Sequence, residues 1–289
     1  MKTTPGGIFL CLFLIPMLVG LEPKKSVQDY ALSLENPDGG FLSEKAKEKT
    51  SLRATLGAIR ISQMEKKSLS SLKAHQKFIL SCWKESGEFA DTPGGKPDLI
   101  TTVVGLMACK DANILEEKVR KSGVLYLIEN AKNFEEVRMA CAFLAQEKEI
   151  AQVREAWSGL VLNHLRQTKT QAKPHQLGRE MAGALVTLLR LGVAPPMEYG
   201  FTGSWRQQDG GFASANSTQS DMDTVYRVGR FLHMTQNQTE LRKTLPFIEK
   251  CANADGGFGP APGKPSTMGA TYQARIVLLW THSLQPKSK

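Results

Sequence analysis

The residues best suited to chemistry gather around one short stretch. Asp221-Met-Asp223 stands just ahead of Tyr226. A carboxylate in that place could donate a proton or touch a metal, and a phenol could hold an anion. Asp223 is therefore the catalytic candidate. Tyr226, Tyr272, His175, Arg179 and Arg138 are the candidates for holding a ligand. Each also has a plain structural reading. Asp221 suits a helix N-cap, and Asp223 suits a first-turn carboxylate favoured by the helix dipole. His175 suits a cap or a solvent-facing position, and Arg179 with Glu180 suits ion pairs between helix ends.

Such scattered residues can meet only if the chain brings them together, and a repeat supplies the means. Asp-Gly-Gly-Phe occurs at Asp38–Phe41, Asp209–Phe212 and Asp255–Phe258, with a looser copy at Ser86–Phe89. With Phe134 and a further unit near Lys173-Pro174, the spacing is roughly 40 to 50 residues, the length of a helical hairpin repeat. Six units result. Each reads as a helix, a glycine turn and a second helix. The second helices are small and apolar: Leu52–Ile61, Leu99–Cys109, Val137–Ala145, Met181–Leu191, Val225–Met234 and Ala270–Trp280. The first helices carry more charge, as in Ser70–Lys84, Leu115–Asn130, Glu149–Lys169 and Leu241–Lys250. Apolar helices inside and charged ones outside make an all-α fold, an α/α toroid of six inner and six outer helices.

In such a ring the inner helices run parallel, so their N-termini open at one end of a central cavity. Positive dipole ends and free amides there suit an anion or polar head group, with apolar walls below. The rim candidates are Arg53, Asp98, Arg138, His175, Arg179, Glu180, Asp221, Asp223, Tyr226 and Tyr272.

Met1–Gly20 reads as a signal peptide or membrane anchor, because Lys2 precedes an apolar run of about a dozen residues. Residues 21–289 would then be one toroid domain in a secreted or periplasmic protein, touching a membrane only if the leader stays uncleaved. The formal charge of +9 is spread over the outer helices with no aromatic-interleaved basic stripe, which argues against nucleic-acid binding. Cys82, Cys109, Cys141 and Cys251 read as small buried hydrophobes without disulfides or zinc spacing. Asn216 and Asn237 begin glycosylation sequons.

The runs Gln208–Phe212 with Ser220–Tyr226, and Asn253–Gly263 with Ala270–Tyr272, resemble the repeat of protein prenyltransferase β-subunits and squalene/terpene cyclases. The whole also resembles secreted prenyltransferase/squalene-oxidase-repeat proteins. The resemblance implies the toroid. For a prenyltransferase it implies a zinc set of Asp, Cys and His, which falls here on Asp223, Val225 and Gly269; its diphosphate-binding Arg and Lys fall on Ser217 and Ser220, while Tyr226 matches a diphosphate contact. For a cyclase it implies Asp-x-Asp-Asp, which falls on Asp221-Met-Asp223-Thr224. The zinc site is thus incomplete, and no cofactor is expected.

Two functions follow as expectations. The first is an exported toroid that binds a small anionic or amphipathic molecule, or a peptide, in its cavity. The alternative is an isoprenoid enzyme of the prenyltransferase or terpene cyclase class, for which a partner like an α-subunit stays open. A sugar-cleaving toroid needs a carboxylate pair and stacking aromatics inside; Trp83, Trp157 and Trp205 fall in the predicted outer layer and Trp280 at the end of the last inner helix, which makes this reading the weakest.

Overall fold

The computed structural model describes residues 25–69, 71–171, 173, 177–214 and 217–283. The leader, His175 and Asn216 lie outside the described residues. In chain order the helices are α1 (Val27–Leu32), α2 (Leu52–Met64), α3 (Leu72–Ser81), α4 (Leu99–Asp111), α5 (Glu117–Asn130), α6 (Phe134–Leu144), α7 (Ile150–Gln171), α8 (Gly178–Arg190), α9 (Met222–Met234), α10 (Gln238–Arg242), α11 (Leu245–Lys250) and α12 (Met268–Ser283). Two short antiparallel strands, β1 (Phe41–Leu42) and β2 (Thr50–Ser51), flank the first glycine loop.

The inner ring is α2, α4, α6, α8, α9 and α12. Each packs on the next, and α12 returns to α2 to close the circle. Small and β-branched residues make these helices buried nearly all round: Ala58, Val103, Ala140, Ala184, Val225 and Ala274 are all sealed from solvent or nearly so. Neighbouring N-termini are tied at one end. The Leu52 amide donates to Asp91 O at 2.8 Å, Met222 to Pro260 O at 2.8 Å, and Met268 to Ser43 O at 2.8 Å. Each of these inner helices thus starts against the loop that leads into its neighbour.

The Asp-Gly-Gly-Phe loops explain themselves atom by atom. Gly39, Gly210 and Gly256 have φ of 88°, 88° and 86°, the left-handed region that glycine occupies without strain. A Cβ on Gly39 would stand 2.4 Å from Ala74 O, on Gly210 2.6 Å from Lys243 O, and on Gly256 2.4 Å from Ser26 O. Every such contact is to the outer segment of the following unit, and the Gly256 contact reaches round to the entry of α1. The Asp carboxylate accepts from the second glycine's amide, at 2.8 Å for Asp38 to Gly40, 2.9 Å for Asp209 to Gly211 and 3.0 Å for Asp255 to Gly257. It also accepts from the hydroxyl of Thr50, Ser220 or Ser266. The Phe amides of Phe41, Phe89 and Phe258 donate to Thr55, Thr102 and Thr271 on the inner helices. The motif is a corner brace. The ring is latched where its ends meet, because Tyr30 O–H donates to Ser266 O at 2.6 Å.

The outer layer departs from the sequence expectation in two units. Between α8 and α9 two short 3-10 turns, Met197–Tyr199 and Gly203–Trp205, stand where a sixth outer helix was expected. Pro195, Pro196, Gly200 and Gly203 within nine residues remove donors and favour turns, so no longer helix forms. Trp205 nevertheless buries itself there, edge-on to Phe201. The last outer segment is also broken, into α10 and α11, with Pro246 in the first turn of α11. No helix of the described residues is long and apolar enough to cross a membrane.

Candidate functional site

The ring encloses a cavity of about 510 Å³, in the range of small-molecule sites. All six inner helices line it. Its middle is apolar, with Leu56, Val104, Met107, Met139, Val186 and Ile276. Its ends are not. Six arginines face the space: Arg53, Arg60, Arg138, Arg190, Arg227 and Arg230. They form two tiers. Arg53 and Arg60 are seven residues apart on α2, as are Asp223 and Arg230 on α9, so the same helix face is presented twice, about 10 Å apart along the axis.

The upper tier lies near the helix N-termini, and its charges are largely matched. Arg138 Nη2 is 2.7 Å from Glu135 Oε2, and Arg227 Nη1 is 3.0 Å from Glu135 Oε1. Arg227 Nε is 3.2 Å from Asp223 Oδ2. Arg179 Nη2 also reaches Asp223 Oδ2, at 3.1 Å, and Gln273 Nε2 donates to its other oxygen at 3.0 Å. Glu180 lies 3.8 Å from Arg179 and 3.5 Å from His164. Burial raises the Glu135 carboxyl, but the hydrogen bonds and charges of Arg138 and Arg227 outweigh it and bring the pKa to about 2. Arg53, exposed at the rim, has no carboxylate in salt-bridge range among the described residues.

The lower tier is different. Arg60 Nε pairs with Asp111 at 2.7 Å, and its Nη1 donates to the Tyr272 hydroxyl at 3.4 Å. Arg230 donates to the Tyr226 hydroxyl and lies 4.8 Å from the Tyr226 ring and 5.0 Å from the Trp280 ring. Tyr226 and Trp280 stack at 5.8 Å with 18° between planes, and Trp280 stacks on His233 at 5.1 Å. Among the described residues neither Arg190 nor Arg230 has a carboxylate within 4.0 Å. Desolvation, then repulsion from Arg230, lowers the Arg190 guanidinium to about 10. Burial raises the Tyr226 phenol, yet Arg230, Arg60, a hydrogen bond with Tyr272 and Arg190 together hold it below its ordinary value. Burial, then Tyr226, pushes Tyr272 up to about 12.

Five of the candidates from sequence thus line one space: Arg53, Arg138, Asp223, Tyr226 and Tyr272. Arg179 stands behind the wall and touches Asp223. Asp221 and Asp98 are N-caps, accepting from Thr224 N at 2.8 Å and Thr101 N at 2.7 Å. Val225 is wholly buried in the core, and Gly269 faces the cavity without a side chain. Sequence reasoning passed over Arg60, Arg190, Arg227 and Arg230. The signal was available: arginines on otherwise apolar inner helices, at seven-residue spacing on α2 and four residues after Tyr226 on α9.

The profile of the prenyltransferase alpha-alpha toroid domain family matches residues 56–128 and 191–287. Among solved structures, protein geranylgeranyltransferase-I of Candida albicans, complexed with GGPP, is similar at 19% identity and a TM-score of 0.29. That match covers 85% of this chain and 56% of the other. No protein of curated function matches the sequence. A closed ring of parallel inner helices, glycine-braced corners and a profile match across more than half its length place this chain in the prenyltransferase alpha-alpha toroid family.

Proposed function

We infer that the central cavity binds one small anionic amphiphile, a molecule with an apolar body and a negatively charged group. The carrying observation is that Arg190 and Arg230 face an apolar-walled space without a carboxylate partner among the described residues. Both are half-buried, and a guanidinium partly withdrawn from water with no carboxylate beside it is left incompletely compensated. A ligand oxyanion supplies that compensation, and the Leu56, Met107, Met139 and Ile276 wall takes the apolar body.

Zinc-assisted thiol prenylation is not part of this reading. Its three donor positions hold a carboxylate already in two ion pairs, a buried valine and a glycine. Thiolate and imidazole are the donors that give such a site its affinity, and neither is at those positions. Asp223 is also occupied, because Arg179 and Arg227 both hold its Oδ2. The leader keeps the proposed location secreted or periplasmic.

Isothermal titration tests this. Dodecanoate should bind the full chain at one site, and dodecanol should bind roughly tenfold more weakly or worse. Added zinc should change neither. Equal affinity for acid and alcohol would remove the role of the arginines. Zinc-dependent transfer of a prenyl group from a prenyl diphosphate to a thiol peptide would restore the enzyme reading.

A further inference from the structure

Resting on the cavity-binding reading, we propose that the ligand enters with its oxyanion head directed away from the helix N-termini. The head would sit at the C-terminal end of the inner helices, between Arg190 and Arg230 and within reach of the Tyr226 and Tyr272 hydroxyls. Its apolar chain would run back towards the rim.

Three observations carry this orientation. The first is charge balance. At the rim, Arg138 and Arg227 are already bound to Glu135 and Asp223, so an arriving anion meets matched pairs there and one unpaired, solvent-exposed cation, Arg53. Below, Arg60 has Asp111, but Arg190 and Arg230 keep an uncancelled double positive charge.

The second is helix position. Arg190 is the last residue of α8, and Arg60 and Arg230 each lie four residues before the ends of α2 and α9. Carbonyl ends of helices stabilise cations there, so the fold can hold this cluster ready without a ligand. The free amides at the N-termini are less available than the dipole picture suggests. Caps and neighbouring loops already use those of Leu52, Thr101, Met222, Thr224 and Met268.

The third is shape. Arg230 is braced by the Tyr226 and Trp280 rings, which fix its fork, so little freedom is lost on binding. The apolar middle lies between the two tiers, so a head at the lower tier puts the chain against Leu56, Val104, Met139 and Ile276. The depressed Tyr226 phenol agrees with a surplus of positive charge in this corner. A carboxylate or a phosphate monoester fits the same groups; the shared chemistry is a compact oxyanion on an apolar chain.

Trp280 lines the lower end and reports the orientation directly. Two bromododecanoates are titrated into the full chain, one brominated beside the carboxylate and one at the far end of the chain. Tryptophan quenching is read against a Trp280→Phe control. The expected result is stronger quenching by the bromine beside the carboxylate. In parallel, Arg190→Met and Arg230→Met should each lower the affinity for dodecanoate and for dodecyl phosphate roughly tenfold or more, and leave dodecanol unchanged. Arg53→Met, at the opposite end of the cavity, should cost the two anions far less than either lower-tier variant and leave dodecanol unchanged. A larger loss for one of the two anions tells which head is preferred. Stronger quenching by the far-end bromine, or affinity lost through Arg53 and kept in the Arg190 and Arg230 variants, would overturn the orientation while the cavity still binds. Saturable binding by none of these amphiphiles would overturn the orientation and the cavity reading together.

Discussion

Arg179 Nη2 stands 3.1 Å from Asp223 Oδ2, and the same oxygen meets Arg227 Nε one helical turn along α9 at 3.2 Å. The carboxylate that drew notice as a possible acid is the centre of a charge network joining α8, α9 and, through Gln273, α12. Asp223→Asn should therefore keep the fold and cost about 1 kcal/mol or less, since its pairs are partly exposed. Dodecanoate affinity should hold or rise slightly, because a negative charge leaves the cavity wall. Thermal melting and titration of the same sample check both. A loss of affinity beyond tenfold would return Asp223 to the list of ligand-contacting groups.

Glu135 predicts an acid limb in stability. Its folded-state pKa of about 2 lies below the ordinary 4.5, so its contribution is complete above pH 4.5. That contribution falls as pH drops and is gone below about 2. Urea midpoints measured between pH 6 and pH 3 should fall less steeply for Glu135→Gln than for the parent. Identical slopes would mean that the Arg138 and Arg227 pairs contribute nothing measurable.

The corner braces make a sharper prediction. Gly210→Ala places a Cβ 2.6 Å from Lys243 O at a φ of +88°. Both strain and a backbone clash follow, and the loss should exceed about 2 kcal/mol in urea unfolding. By contrast Gly94→Ala, at a φ of +73° with nothing within 4 Å, should cost only about 1 kcal/mol, because it carries the conformational penalty without the clash.

The four described cysteines should be silent in the native protein. All are buried and free, and burial pushes each thiol up to about 12. At pH 8 almost no thiolate exists to react. Iodoacetamide labelling followed by peptide mapping should find Cys82, Cys109, Cys141 and Cys251 modified only after denaturation. Rapid native labelling of any of them would show that the ring opens locally.

Much of the architecture was legible because its signals are local. Asp-Gly-Gly-Phe encodes a turn whose hydrogen bonds lie within the motif or one helix away, and Asp98 and Asp221 act within three residues as caps. The broken outer segment was legible too, in Pro195, Pro196 and Gly200, but a repeat count carried a helix across it. The site was less legible, since its lower tier depends on which arginines lack a carboxylate. Asp111 reaches Arg60 across 51 residues, and Arg227 reaches Glu135 across 92. Such pairings are set by ring closure, which no local window reveals. The dipole argument pointed to the rim, whereas ion pairing of Arg138, Arg179 and Arg227 there leaves the larger surplus of positive charge at the other end.

The central claim, that the hollow of the ring is where the ligand goes, is tested most directly by filling the hollow. Gly269 lies on the cavity wall, and a Cβ there would meet nothing within 4 Å. Gly269→Phe should thus fold normally and project a ring into the space. Titrated with dodecanoate, it should show affinity at least roughly tenfold weaker than the parent, with an unchanged melting temperature. Undiminished binding by the folded variant would place the ligand elsewhere and contradict the account.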